Sequence, residues 1–203
     1  MTSHYYDENP EVKHNLRTIE YIIDSKKLEL TTDAGVFSKS SVDFGSNLLI
    51  NSIPKCDGTI LDMGCGYGPI GLSLAILNPS AKITLADINN RAVELCGSNI
   101  ISNKIQNAQA LQSDSFSKIT GDFDIIVCNP PIRTGKKIMY SILEDSYNFL
   151  KNQGSLFIVI QKKQGAHSAF VKLNDIFGNC KITNHHGGYQ ILCSLKDNHS
   201  ISL

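Results

Sequence analysis

A chain of 203 residues, 41% hydrophobic and 19% charged, is long enough to bury one sizeable core and too short for two full catalytic domains. No apolar run approaches the roughly 18 residues of a membrane span. The polar start "MTSHYYDENPEVKHN" lacks the basic and apolar stretches of an export signal, so a cytoplasmic protein without a membrane partner is expected. The six cysteines are scattered without a CxxC pair, which argues against a disulfide framework and a zinc site. His185 and His186 are adjacent and would point to opposite faces of a strand, so no metal is expected there and a polar turn is the better reading.

In chain order, "TIEYIID-SKK-LELTTD" reads as two short strands, Thr18 to Asp24 and Lys27 to Asp33, around a polar turn, and "VDFGSNLLINSI" as a helix entered at Asp43. Residues 1–55 are thus expected to form an N-terminal hairpin and helix cap. Residues 56–203 are expected to form the catalytic core of a single domain. From "GTILDM" to "GAHSAFVKLNDIFG" apolar Val/Ile/Leu runs alternate with helical patterns, the signature of a parallel sheet covered by helices on both faces. "CKITNHHGGYQILCSL" breaks that rhythm with two β-rich runs joined by a short turn, so the last strand should run antiparallel. The expected class is α/β, doubly wound and Rossmann-like.

The first core strand runs into "LDMGCGYGPIG", Leu61 to Gly71, and opens a helix, where ligands bind in open α/β folds. Gly64, Gly66 and Gly68 form GxGxG, whereas Gly66, Gly68 and Gly71 form the dinucleotide pattern GxGxxG, a weak signal alone. Asp62 separates the readings. A carboxylate just before the glycines repels a pyrophosphate and attracts an ammonium group, which suits S-adenosylmethionine (SAM) and suits NAD poorly. Asp87 ends the next strand and can take ribose hydroxyls; Asp114, followed by Ser115, can accept from the exocyclic amine of an adenine. Each aspartate alone could be a cap or a turn residue, but three at successive strand ends point to a nucleoside-type cofactor.

"FDIIVCNPPIRTGKK" ends the fourth core strand with Asn129-Pro130-Pro131-Ile132. A planar amine is a poor nucleophile because its lone pair is delocalised. Two acceptors, the Asn129 side-chain oxygen and the Pro130 carbonyl, would hold such a nitrogen in line with a methyl carbon and stabilise the charge that develops. The prolines fix the backbone that presents the carbonyl.

At these residues the chain resembles the class I SAM-dependent methyltransferases, specifically the RsmC-like ribosomal RNA guanine-N2 methyltransferases with the small catalytic "MTS" domain. The likeness covers nearly the whole chain, from "HYYDENPEVK" through "DAGVFSKSSVDFGSNLL", "LDMGCGYGPIGL" and "CNPPIRTGKK" to "QKKQGAHSA" and "GGYQILCS". It implies a mostly parallel seven-stranded sheet with a reversed last strand, SAM as cofactor, and a guanine of small-subunit ribosomal RNA, free or in the assembled subunit, as substrate. It implies cofactor contacts at Asp62, Gly64, Cys65, Gly66, Gly68, Asp87, Ile88, Asp114, Ser115 and Asn129, and at Val36, Phe37 and Ser38 of "GVFS". It implies a catalytic turn of Asn129, Pro130, Pro131 and Ile132. Many relatives carry Phe or Tyr where this chain has Ile132, so either another residue supplies the face that stacks on the target base or the base is held mainly by apolar contact and hydrogen bonds.

The formal charge of zero is uneven: residues 131–172 carry seven bases against two acids. Arg133, Lys136 and Lys137 follow the catalytic turn and Lys162 and Lys163 follow the fifth strand, so both clusters should sit on one rim, suited to RNA phosphates. Three alternatives stand beside this reading: methylation of a protein glutamine amide or of adenine, a non-catalytic SAM- or RNA-binding module, and a dinucleotide oxidoreductase disfavoured by Asp62.

Overall fold

The computed structural model describes residues 13–34, 41–131 and 135–197. Val36, Phe37, Ser38, Ile132 and Arg133 lie outside the described residues.

The chain opens with an antiparallel hairpin, β1 (Arg17–Ile23) and β2 (Lys26–Thr32). Asp24 and Ser25 both have positive φ, 50° and 62°, as a tight two-residue turn between right-twisted strands requires. Helix α1 (Phe44–Ile50) starts where the sequence puts it, with Asp43 as its cap. The core then alternates β3 (Thr59–Met63), α2 (Pro69–Leu77), β4 (Lys82–Asp87), α3 (Asn90–Ser102), β5 (Ala108–Gln112), β6 (Phe123–Cys128), α4 (Lys136–Phe149), β7 (Leu150–Gln161), α5 (Ala166–Phe177), β8 (Lys181–His186) and β9 (Tyr189–Leu195).

The seven core strands form one sheet in the order β5-β4-β3-β6-β7-β9-β8. The pairs from β5 to β7 are parallel, and β9 runs antiparallel between β7 and β8. His185 and His186 end β8, so the turn is Gly187-Gly188 alone rather than a His-His-Gly-Gly stretch.

Both faces of the sheet are covered, which explains the unbroken apolar strands. Ile125 and Val127 of β6 and Phe157 and Val159 of β7 face one core with α1, α2, α3 and the hairpin. Their neighbours Ile126, Cys128, Leu156 and Ile158 face the other, with α4 and α5. The hairpin enters the first core through Ile19, Ile23, Leu28 and Leu30. Two asparagines of α3 and its C-terminal cap hold the edge of β2 as a paired strand would: Asn99 Oδ1 accepts from Thr31 N at 2.8 Å and Asn103 Oδ1 from Glu29 N at 2.9 Å. Their amide nitrogens donate back to Thr31 O and Glu29 O. All six cysteines are free thiols, three of them buried.

Candidate active site

The loop between β3 and α2 is built by turns that only glycine adopts cheaply. Gly64 and Gly66 sit at φ +74° and +58°, where a side chain is strained, and a Cβ at either would meet no atom within 4 Å. The main chain there is therefore bare toward open space. Gly64 N and Cys65 N donate to Ala86 O at 2.8 and 3.0 Å, tying the loop to β4. Gly68 differs: at φ +99° it caps α2, and a Cβ would lie 2.9 Å from Cys96 Sγ.

A cavity of about 310 Å³ opens at the carboxyl ends of the parallel strands. Of the residues the sequence singles out, Gly64, Cys65, Gly66, Asp87, Ile88, Asp114, Ser115, Asn129, Pro130 and Pro131 all line it. Asp62 and Gly68 do not. Asp62 is fully buried; its Oδ2 accepts from Gly71 N at 2.8 Å and its Oδ1 has no partner among the described residues. Burial, opposed by the Gly71 N–H and reinforced by the nearby Asp87 charge, pushes its carboxyl up to about 7. Asp87 Oδ2 accepts from Gly66 N at 2.8 Å and Oδ1 from Asn89 N at 2.9 Å, so it locks the glycine loop while bordering the cavity. Burial raises its carboxyl as well, against those hydrogen bonds.

The rest of the wall mixes apolar and polar groups. Met63, Ile70, Ala92, Ile138 and Ile142 supply apolar surface. Ser115, at φ +47°, lines the cavity, and its buried Oγ has no partner among the described residues. Ser46 of α1 also lines it, and Asn129 Nδ2 donates to Ser46 Oγ at 3.1 Å. The sequence offers Ser46 only as part of a helix start, so its place opposite Asn129 comes from packing. Bare glycine backbone, the buried Ser115 oxygen and the Asp87 carboxylate at a strand end, all on the cavity wall, with the buried Asp62 carboxyl beneath the loop, fit a ligand that is a cation at one end and a nucleoside at the other.

The basic rim is divided. Lys136 and Lys137 are exposed at the start of α4, and Lys162 and Lys163 are exposed in the short 3-10 turn after β7 (Lys162–Gln164). None of the four pairs with a carboxylate among the described residues. Lys151 and Lys172, counted in the same basic window, are committed elsewhere: Lys151 to Asp124 at 2.7 Å and Lys172 to Glu144.

Residues 27–193 match the family model described as methyltransferase small domain. The chain belongs to the methyltransferase small domain family. It is a class I SAM-dependent methyltransferase of the RsmC-like group. Uncharacterized protein YbxB of Bacillus subtilis (strain 168) is 48% identical over 200 residues, covering 97% of this chain and 100% of that protein. Ribosomal RNA small subunit methyltransferase C of Aeromonas hydrophila is 43% identical over 137 residues, covering 64% of this chain and 40% of that protein. Among solved structures, the T. thermophilus 16S rRNA N2 methyltransferase RsmC, in complex with AdoMet and guanosine, matches with a TM-score of 0.82 at 25% identity, covering 92% of this chain and 52% of that one. This methyltransferase small domain therefore spans 40% and 52% of the two RsmC chains named and the whole of YbxB.

Proposed function

We propose that this methyltransferase transfers the methyl group of SAM to the exocyclic N2 amine of a guanine in small-subunit ribosomal RNA. The observation that carries the reading is a shared cavity: the glycine loop and the Asn129-Pro130-Pro131 turn line one space at the strand ends. The named RsmC relatives and the RsmC structure with AdoMet and guanosine support the substrate class.

In this reading the main chain of Gly64, Cys65 and Gly66 receives the methionine end, and the buried Asp62 behind it, whose carboxyl is raised to about 7, adds a negative field that favours an ammonium group once it ionises. Gly68 contributes by setting the start of α2. Asp87 takes the ribose hydroxyls, Ile88 packs on the adenine, and Asp114 with Ser115 accepts from its amine. Val36, Phe37 and Ser38 complete the cofactor's surroundings and Ile132 the apolar side of the base. SAM supplies an electrophilic methyl carbon on a sulfonium. Asn129 Oδ1 and the Pro130 carbonyl accept hydrogen bonds from the target amine and hold its nitrogen in line with that carbon; Pro131 stiffens the turn. The amine nitrogen forms the new N–C bond while the methyl–sulfur bond breaks, its electron pair staying on sulfur. The amine then releases a proton to water, so no strong base is required.

A guanine must be unstacked to reach Asn129. Arg133, Lys136, Lys137, Lys162 and Lys163 hold the flanking phosphates. The setting is the cytoplasm, and residues 1–55 act as a cap on the catalytic core within one domain.

Nucleosides from ribosomal RNA of a strain lacking the protein, measured by mass spectrometry, should show less N2-methylguanosine, and purified protein with labelled SAM should restore it on that RNA. An unchanged N2-methylguanosine level, or no transfer to the undermodified RNA, would sink this reading.

A further inference from the structure

The sequence segment "VDFGS" has a use beyond starting a helix. Asp43 caps α1: its Oδ1 accepts from Ser46 N at 3.1 Å, and its Oδ2 accepts from Ser46 Oγ at 2.5 Å. Ser46 Oγ in turn accepts from Asn129 Nδ2 at 3.1 Å, across 83 residues of chain. Gly45 lets this turn come close to β9, since a Cβ there would lie 2.8 Å from Tyr189 Cε1. Asp43 and Ser46 thus link the start of α1 to Asn129, and Gly45 seats that start against β9.

The direction of these bonds matters more than their number. An ionised carboxylate only accepts, so the single hydroxyl proton of Ser46 goes to Asp43. The lone pairs left on Oγ can only accept, and so they select the nitrogen end of the Asn129 amide over its oxygen end. An amide turned through 180° would set its oxygen against a hydroxyl with no proton to offer, and one hydrogen bond would be lost. Asn129 lines the cavity, and its Oδ1 receives no hydrogen bond from a described residue. It is the acceptor left for a ligand.

We propose that Asp43 and Ser46 are positioning residues for Asn129, a carboxylate–hydroxyl–amide chain that holds the Asn129 oxygen toward the target amine. The inference rests on the proposed role of Asn129 as an acceptor for that amine. It assigns to α1 a share in catalysis without contact with the reacting atoms. Ser46 is 2% exposed, so water competes poorly for the relay.

Four variants test it: S46A, D43N, N129A and the double variant S46A/N129A. Asn caps helices about as well as Asp, so D43N keeps α1 while removing the acceptor-only partner that fixes the hydroxyl proton. With labelled SAM and undermodified small-subunit RNA, S46A should lower kcat about 10-fold to 100-fold. D43N should lower it several-fold, and both should leave the SAM Kd and the RNA KM within about threefold. S46A/N129A should be no slower than N129A. In the ligand-free protein, 15N NMR should show the Asn129 side-chain amide protons exchanging faster with water in S46A and D43N than in the unaltered chain. Full kcat and unchanged amide exchange in S46A would overturn the inference, as would losses that multiply in the double variant. Full turnover by N129A would overturn the proposed role of Asn129 first and this inference with it, so the two failures are told apart.

Discussion

Asp62 Oδ2 accepts the Gly71 N–H at 2.8 Å, joining the end of β3 to the first turn of α2 beneath the glycine loop. The contact is possible because position 71 has no side chain: a Cβ there would lie 2.3 Å from Leu85 Cδ2 and 3.1 Å from Asp62 Oδ2. Leu85 is fully buried and has no room to withdraw. Gly71→Ala should therefore destabilise the fold by about 1–3 kcal/mol through overpacking, read as a lower Tm. An unchanged Tm would mean that α2 shifts freely against β4.

Gly66→Ala should behave oppositely. A methyl group at this position meets no protein atom and intrudes into the cavity, at a backbone cost of about 1–2 kcal/mol for φ +58°. The SAM Kd measured by calorimetry should rise at least about 10-fold if a well-placed loop contact of roughly 1.4 kcal/mol is lost. Wild-type affinity would show that the cofactor does not lie against Gly66.

The pH dependence of stability follows from Asp62. Its carboxyl is raised by burial from 3.8 to about 7 in the folded protein, so between those values the native state holds a proton that the unfolded chain has released. Stability then falls as pH rises through that window and levels off above it. Asp62→Asn keeps an acceptor for the Gly71 N–H and cannot titrate. The Tm of the unaltered chain relative to D62N should decline by several degrees from pH 4 to pH 7. A flat difference would mean that Asp62 is ionised throughout.

Asn129→Ala should lower kcat at least about 100-fold, the scale of losing one preorganised group at the reacting centre, with SAM affinity within a few fold. Unchanged turnover, measured with labelled SAM, would remove Asn129 from the chemistry.

Lys136 and Lys137 occupy the first turn of α4, which carries no acidic residue. Positive charge is disfavoured at that end of a helix, and the proposed function gives both lysines a phosphate partner. The double variant K136E/K137E should raise Tm by about 1–2 °C while weakening RNA binding and flattening its salt dependence. K162E/K163E should weaken RNA binding as well. RNA affinity unaffected by either pair would detach the rim from substrate binding.

Much of this molecule was legible along the chain because the signals are short-range. Alternating apolar strands and helices announced a sheet buried on both faces, since every strand residue must pack on one side or the other. Asp43 marked the start of α1 because capping involves residues only three apart. Asp87, Asp114 and Asn129 were readable as cavity residues because a strand that runs into a ligand loop delivers its last side chain to the same edge of the sheet. The antiparallel sense of β9 was readable too, whereas its insertion between β7 and β8 depends on sheet order, which no local pattern records.

Tertiary structure alone decided which groups meet. The sequence brought Asp62 to the glycine loop, and packing turned its carboxylate inward onto Gly71 rather than into the cavity. Charge counting grouped seven bases, but folding paired Lys151 with Asp124 of β6 and Lys172 of α5 with Glu144 of α4. Ser46 faces Asn129 only because α1 and the end of β6 converge across 83 residues. Periodicity, turns and caps are set by neighbours within a few residues, so a sequence determines them by itself. A hydrogen bond between distant residues depends on angstrom-scale approach of whole elements, and only the packed core determines that.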